Sequence, residues 1–316
     1  MACRRTPVSC AEIGKSCAQS YGPRDSVLLA LLLCGAFAIA QSALDGTDVD
    51  WSKVRSIDEF DHYWARLPPE LQLYRNSEPA PATRIANGFL STPGQFPYHV
   101  VMLAEFTLGT GLCGGTVLTN SYILTAAHCV AEYYGIKANG GLAISSSASG
   151  SNRQAFTIHP QYSYVNVRND VATVLLNTPI SYTGRIQPIR LPAPSDLRTF
   201  ACAQGTVTGY GRTSTTSSSL SRFLRYAFNT IISNAECTTY WSPIYVDQQN
   251  MCMSAANGRS PCIGDSGGAL TVSDGSEPLQ VGIVSFGEAV GCAVSMPTIY
   301  ARITHFLPWI LTNSDY

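Results

Sequence analysis

Gly264-Asp265-Ser266-Gly267-Gly268 is the stretch of this chain best suited to nucleophilic chemistry. A serine hydroxyl is a weak nucleophile at neutral pH. It needs a base to take its proton and backbone donors to hold the oxyanion that forms on the carbonyl it attacks. Flanking glycines leave room for that carbonyl, and they permit the tight turn that presents the hydroxyl. An ordinary turn prefers the same residues, so the stretch must be weighed with a base and a group to orient it. His128 lies in Thr125-Ala126-Ala127-His128-Cys129, after the strand-like run Tyr122-Ile123-Leu124. Asp170 opens a second apolar run, Val171 to Leu176. Histidine, aspartate and serine thus follow in that order, each beside a segment that reads as a strand.

Together the three stretches resemble the chymotrypsin-like, trypsin-fold serine proteases. Among these the chain is most similar to secreted arthropod brachyurin-like, chymotrypsin-like or elastase-like members. The resemblance covers residues 85–316. It implies an all-β fold: two six-stranded antiparallel β-barrels packed together, the site in the cleft between them, and a C-terminal helix near Thr304 to Leu311. Pro308 obscures the start and phase of that helix. The implied mechanism has Ser266 attack, His128 take its proton and Asp170 hold the imidazole tautomer, while the N–H groups of Gly264 and Ser266 bind the oxyanion. An α/β-hydrolase is excluded because its triad runs in a different order. A catalytically inactive homologue acting as a regulatory binding protein is the alternative; such proteins usually lose a triad residue, and all three are present.

Arg84-Ile85-Ala86-Asn87-Gly88 resembles the family's activation site. Cleavage after Arg84 by a trypsin-like protease would free the Ile85 ammonium to pair with Asp265. A lone buried carboxylate is otherwise costly. The resemblance also sets the substrate pocket. Its floor would be Ser260, six residues before the nucleophile, and its walls Ser285-Phe286-Gly287 and the segment holding Thr298. A neutral floor does not compensate a desolvated Lys or Arg, so an apolar side chain, Leu- or Ala-sized, is expected before the scissile bond. Of the seven cysteines from residue 113 onward, the family pattern pairs Cys113 with Cys129, Cys237 with Cys252, and Cys262 with Cys292. Cys202 is left over and is expected to be a buried free thiol; an exposed one could link chains.

The rest of the chain must deliver and position this site. Residues 1–40 read as a signal peptide with a long n-region. Arg4, Arg5, Lys15 and Arg24 precede the apolar run Val27–Ala40, and Ala38-Ile39-Ala40 fits a cleavage site. That run is short for a membrane span. The spacing of Cys3, Cys10 and Cys17 has no physical account. Residues 41–84 read as a propeptide without cysteine. Ile57, Phe60, Trp64, Leu67 and Leu71 recur at three- and four-residue steps, predicting an amphipathic helix interrupted at Pro68-Pro69 and packed on the protease before activation. Residues 85–190 would form the first barrel. Residues 191–316, beginning at Leu191-Pro192-Ala193-Pro194, would form the second barrel and the terminal helix.

Composition sets the remaining limits. Charged residues are 13% and the formal net charge is −1, with no basic cluster to attract nucleic acid. The 11 cysteines point to an oxidising compartment, hence to an extracellular protein. The loop Gly140 to Asn152 contains no carboxylate, so no calcium site is expected there. No metal or other cofactor is expected. The expected partners are protein or peptide substrates, the activating protease and protein protease inhibitors, with no membrane and a monomeric state. His99, His159 and His305 are read as structural. No N-x-[ST] sequon occurs.

Overall fold

The structure is a computed structural model. It describes residues 53–65, 69–72, 88–106, 109–131, 141–143, 154–213, 219–287 and 296–316. The expected signal segment, Arg84, Ile85, Leu67, Cys292 and most of the loop 140–152 lie outside the described residues, and of Leu71 only the backbone is described. Residues from Asp50 onward belong to one compact unit.

Short, β-branched and aromatic-rich runs separated by Gly, Pro, Ser and Asn dictate strands. The first sheet is built from β1 (Val54–Ser56), β3 (His99–Phe106), β4 (Gly109–Val117), β5 (Tyr122–Thr125), β6 (Gly141–Ala143), β7 (Gln154–Ile158) and β8 (Ala172–Leu176). They run in the order β6-β3-β4-β5-β8-β7, with β1 laid parallel against β4. The second sheet holds β2 (Phe89–Leu90), β9 (Gln204–Gly209), β10 (Arg225–Ile232), β11 (Asn250–Met253), β12 (Ala269–Asp274), β13 (Glu277–Phe286) and β14 (Thr298–Arg302). Its order is β11-β14-β13-β12-β9-β10, and β10 pairs again with β11, so these six strands close on themselves as a barrel. Closure removes the free edges that an open sheet must protect. Of the two expected six-stranded barrels, the second closes among the described residues. The first is an open run there, and β1 and β2 add a seventh strand to each sheet.

Four α-helices are described: α1 (Asp61–Ala65), α2 (Pro69–Gln72), α3 (Asn234–Cys237) and α4 (Ile303–Thr312). Pro308 sits inside α4 without ending it. An interior proline costs a helix about 3 kcal/mol. Ile303, Phe306, Leu307 and Ile310 are all buried, and each such burial contributes roughly 1.5–3 kcal/mol. The buried face therefore outweighs the proline.

The amphipathic helix expected around Ile57, Phe60 and Trp64 is not what forms. Residues 54–56 are strand, Ile57–Glu59 is a single 3-10 turn, and only Asp61–Ala65 is α-helical. Ser56 stops the strand and caps the turn, its side chain accepting from the Asp58 N–H while the Glu59 side chain bonds back to the Ser56 N–H. That reciprocal pairing starts the turn at Ser56, and Phe60, extended at φ −85° and ψ 138°, ends it, so Ile57 and Trp64 fall on either side of a break. Ile57, Phe60 and Trp64 are nonetheless buried.

Candidate active site

Each candidate residue sits where a strand ends or a turn begins. β5 runs into the 3-10 turn Ala127–Cys129, which carries a buried His128. The Cys113–Cys129 disulfide ties this turn to β4. Asp170 immediately precedes the apolar run into β8 and is also buried. Because β5 and β8 are paired antiparallel, Thr125 lies opposite Ala172, which brings the turn after one strand to the residue before the other. Asp170 Oδ2 accepts from His128 Nδ1 at 2.8 Å, and its Oδ1 accepts from the His128 backbone N–H at 2.9 Å. This two-point grip fixes both the turn and the ring. A third donor is the Ser285 hydroxyl, 2.5 Å from Asp170 Oδ2. Burial alone would raise the Asp170 pKa, but the neighbouring His128 and the hydrogen bonds from His128 and Ser285 outweigh it and hold the carboxyl below its ordinary value.

Ser266 lies in the turn between Cys262 and β12, and the turn is clamped on both sides. Gly114 N–H of β4 donates to the Ser266 carbonyl at 2.7 Å. Gly267 N–H donates to Val284 of β13, and Val284 N–H donates back to Gly268. The turn is thus held between one strand from each sheet. Gly264 has φ +99° and Gly267 has φ +80°, a region that favours glycine. A side chain at Gly267 would also meet the Cys129 sulfur at 3.0 Å, which brings the serine turn against the disulfide beside His128.

Asp265, next to the serine, is fully enclosed. Its carboxylate accepts from the backbone N–H groups of Gly211 and Cys262, both at 2.8 Å. Burial pushes its pKa up to about 7; the two backbone donors work against that rise, and the charge of Asp58 adds to it.

Of the expected pocket residues, Ser285 and Phe286 lie on β13, which bonds to the serine turn, and Thr298 opens the neighbouring β14. Ser260, Ser285, Phe286 and Thr298 are buried, while Gly287 is exposed. A side chain at Gly287 would stand 3.5 Å from the Thr298 hydroxyl, so these two positions face each other. Trp241 and Tyr245 pack edge-on against Phe286. Of the expected disulfides, Cys113–Cys129 and Cys237–Cys252 are formed. Cys262 is disulfide-bonded too, and Cys292 lies outside the described residues. Cys202 is free but exposed, not buried. It occupies a turn with φ +68°, two residues after the buried Phe200, and this turn directs the chain outward. Cys113, His128 and Cys129 lie close enough to suggest metal ligands. Both sulfurs are spent in the disulfide, so the trio is no ligand set. His99, read as structural, bonds Thr208 through Nδ1 at 2.9 Å, and burial lowers its pKa to about 3, keeping it neutral.

A family model described as Trypsin matches residues 85–310. The chain belongs to the trypsin family. Within that family it is similar to a collagenase from Hypoderma lineatum, 34% identical over 73% of this chain and 87% of the relative. It is similar to a chymotrypsin from Phaedon cochleariae, 32% identical over 79% and 91% of the two chains. A brachyurin from Leptuca pugilator is 31% identical over 73% and 98%. A solved HL collagenase structure overlays with a TM-score of 0.62 at 29% identity, covering 73% of this chain and 98% of that one. The chain is a serine-type endopeptidase of the trypsin family and of the chymotrypsin-like arthropod group.

At this trypsin-family site the sequence did not show one residue's bond to the triad, and one further residue went unread. Ser285, expected in the pocket wall, has its hydroxyl on Asp170. Asp58, 208 residues before Ser266, reaches the serine with its carboxylate. The Ser56/Glu59 spacing was the local signal for the turn that carries Asp58; nothing local signalled where that turn docks.

Proposed function

We propose that this protein is a secreted endopeptidase made as a zymogen, activated by cleavage after Arg84, and cutting after apolar residues through a Ser266–His128–Asp170 triad. The observation that carries the reading is the two-point bond from His128 to a buried Asp170, beside a glycine-rich turn that presents Ser266. Asp170 fixes Nδ1 of the imidazole as its protonated nitrogen, which leaves Nε2 to take the serine proton. Ser266 Oγ then adds to the scissile carbonyl, and the carbonyl oxygen becomes an anion held by the N–H groups of Gly264 and Ser266. The imidazolium returns its proton to the leaving amine, giving an acyl-enzyme. Water, activated by the same base, releases the acid and regenerates the serine.

Activation rests on Asp265. Its charge is buried and satisfied only in part by two backbone donors, as the pKa near 7 reports. The Ile85 ammonium supplies a counter-charge after cleavage and orders the backbone at Gly264. Specificity rests on a buried, uncharged Ser260 and on Thr298 opposite Gly287. The leader sequence and disulfides support secretion.

Treating the precursor with trypsin, inhibiting the trypsin and sequencing the new terminus tests this reading. An Ile85 terminus with new activity on Leu or Ala anilides, lost in Ser266→Ala, is expected. A clean Ile85 terminus without hydrolysis of any anilide, or with cleavage after Arg, contradicts it.

A further inference from the structure

Residues 54–65 occupy the cleft that a substrate must enter. β1 lies parallel against β4, with Val54 beside Thr110 and Ser56 beside Leu112. The turn after it aims Asp58 at the nucleophile. Ser266 Oγ donates to Asp58 Oδ1 and Oδ2 at 3.3 and 3.4 Å, and the Gly264 N–H donates to Oδ2 at 3.3 Å. Tyr63 lies edge-on to the His128 ring, centroids 5.8 Å apart. Glu59 pairs with Arg212 at 3.1 Å. Ile57, Tyr63 and Trp64 join the same buried cluster as Val100, Ala127 and Cys129.

This contact has the chemistry of an inhibitor and not of a substrate. The group presented to the serine is a side-chain carboxylate, whose delocalised charge makes its carbon a poor electrophile. It meets the same donor, the Gly264 N–H, that is proposed to stabilise an oxyanion, so a resting anion stands where a transient one should form. The backbone is not offered for cleavage. The Ile57 carbonyl accepts from Phe60 N–H, the Asp58 carbonyl accepts from the Trp64 indole at 2.7 Å, and the Phe60 carbonyl accepts from Tyr63 N–H. A protease needs an extended strand with its scissile carbonyl free; this segment is wound into a turn with its carbonyls committed.

We propose that residues 54–65 are a competitive inhibitor of this protease, and that the cleft at Ser266 and Gly264 remains, after activation, a binding site for this acidic peptide. The proposal rests on the triad and activation reading above. Residues 41–84 contain no cysteine, so after cleavage at Arg84 no disulfide retains the segment. While tethered it acts at an effective concentration of about millimolar; once cut, dilution releases it. The segment also opposes the activation switch directly, since the Asp58 charge disfavours ionised Asp265. Loss of the segment and charging of Asp265 therefore favour each other.

The test uses the full chain processed with trypsin, the trypsin then inhibited and released peptides removed by gel filtration. Hydrolysis of a Leu anilide is followed while a synthetic peptide of residues 50–67 is added back. A raised apparent KM with unchanged kcat is expected, with inhibition at least tenfold weaker for the Asp58→Ala peptide because a charge-assisted contact is lost. No inhibition at roughly 1 mM, the scale of a short tether, or equal potency of the two peptides, overturns the proposal. Anisotropy of a labelled peptide 50–67 is recorded on the same sample. A sample that hydrolyses nothing overturns the proposed function instead. Binding with the same tenfold dependence on Asp58 then still supports the docking, and absence of binding removes it.

Discussion

A buried carboxylate beside the nucleophile ties this protein to proton binding at a single residue. Asp265 has its pKa pushed up to about 7 by burial, against an ordinary 3.8. The folded precursor therefore holds this proton more tightly than the unfolded chain. The resulting stability is complete below about pH 4, fades as pH rises, and is gone above about pH 7. Three pKa units correspond to about 4 kcal/mol. The melting temperature of the precursor is expected to fall between pH 4 and 8 through this group, and Asp265→Asn is expected to flatten that part of the profile; a profile unchanged by the substitution would contradict the assignment. At this scale the site was largely legible in the sequence. The hydroxyl, imidazole and carboxylate are the groups the chemistry requires, and each stands in a short motif. Ser285 was not legible in its role, since both faces of β13 are buried at this end and period-two patterning does not say where its hydroxyl points. The exposure of Cys202 depends on one left-handed turn residue, which composition does not reveal.

At the scale of elements, the serine turn is the piece with least freedom. It is clamped by β4 through Ser266 and by β13 through Gly267 and Gly268. Gly267 adds a left-handed φ and a close approach to the Gly114 carbonyl, 2.5 Å from where a side chain would begin. Gly267→Ala carries a conformational cost of about 1–2 kcal/mol per residue and a clash with rigid backbone. We expect destabilisation of more than about 2 kcal/mol by thermal or urea unfolding, together with loss of activity. A neutral effect would mean that the turn is looser than these hydrogen bonds imply. The strands themselves were readable from short apolar runs and turn residues. The segment around Ile57 was misread as one helix because its three- and four-residue spacing is real, while the extended backbone at Phe60 breaks the run locally. Pro308 misleads in the opposite direction: propensity argues for a break, and four buried side chains override it.

At the scale of the molecule, both sheets meet at the cleft and contribute to it. The first supplies His128 and Asp170, and the second supplies the flanks of the serine turn. One buried cluster runs from Ile57 and Val100 through Ala127 to Phe286 and Ile303, so the leading segment, the histidine turn and the terminal helix share a core. The sequence pointed to an all-β chain and its family resemblance to two barrels, but neither showed that a strand from the leading segment would join the first sheet. That pairing joins residues more than fifty positions apart and has no local signature. Ser266 is expected to become a reactive nucleophile when the chain is processed at Ile85. Intact-mass analysis and peptide mapping of the processed chain after exposure to a fluorophosphonate measure this directly. One adduct per chain, on Ser266, absent from His128→Ala and much slower to form in the precursor, is the expected result. A chain with an Ile85 terminus that takes no adduct, or takes it on another residue, would contradict the account.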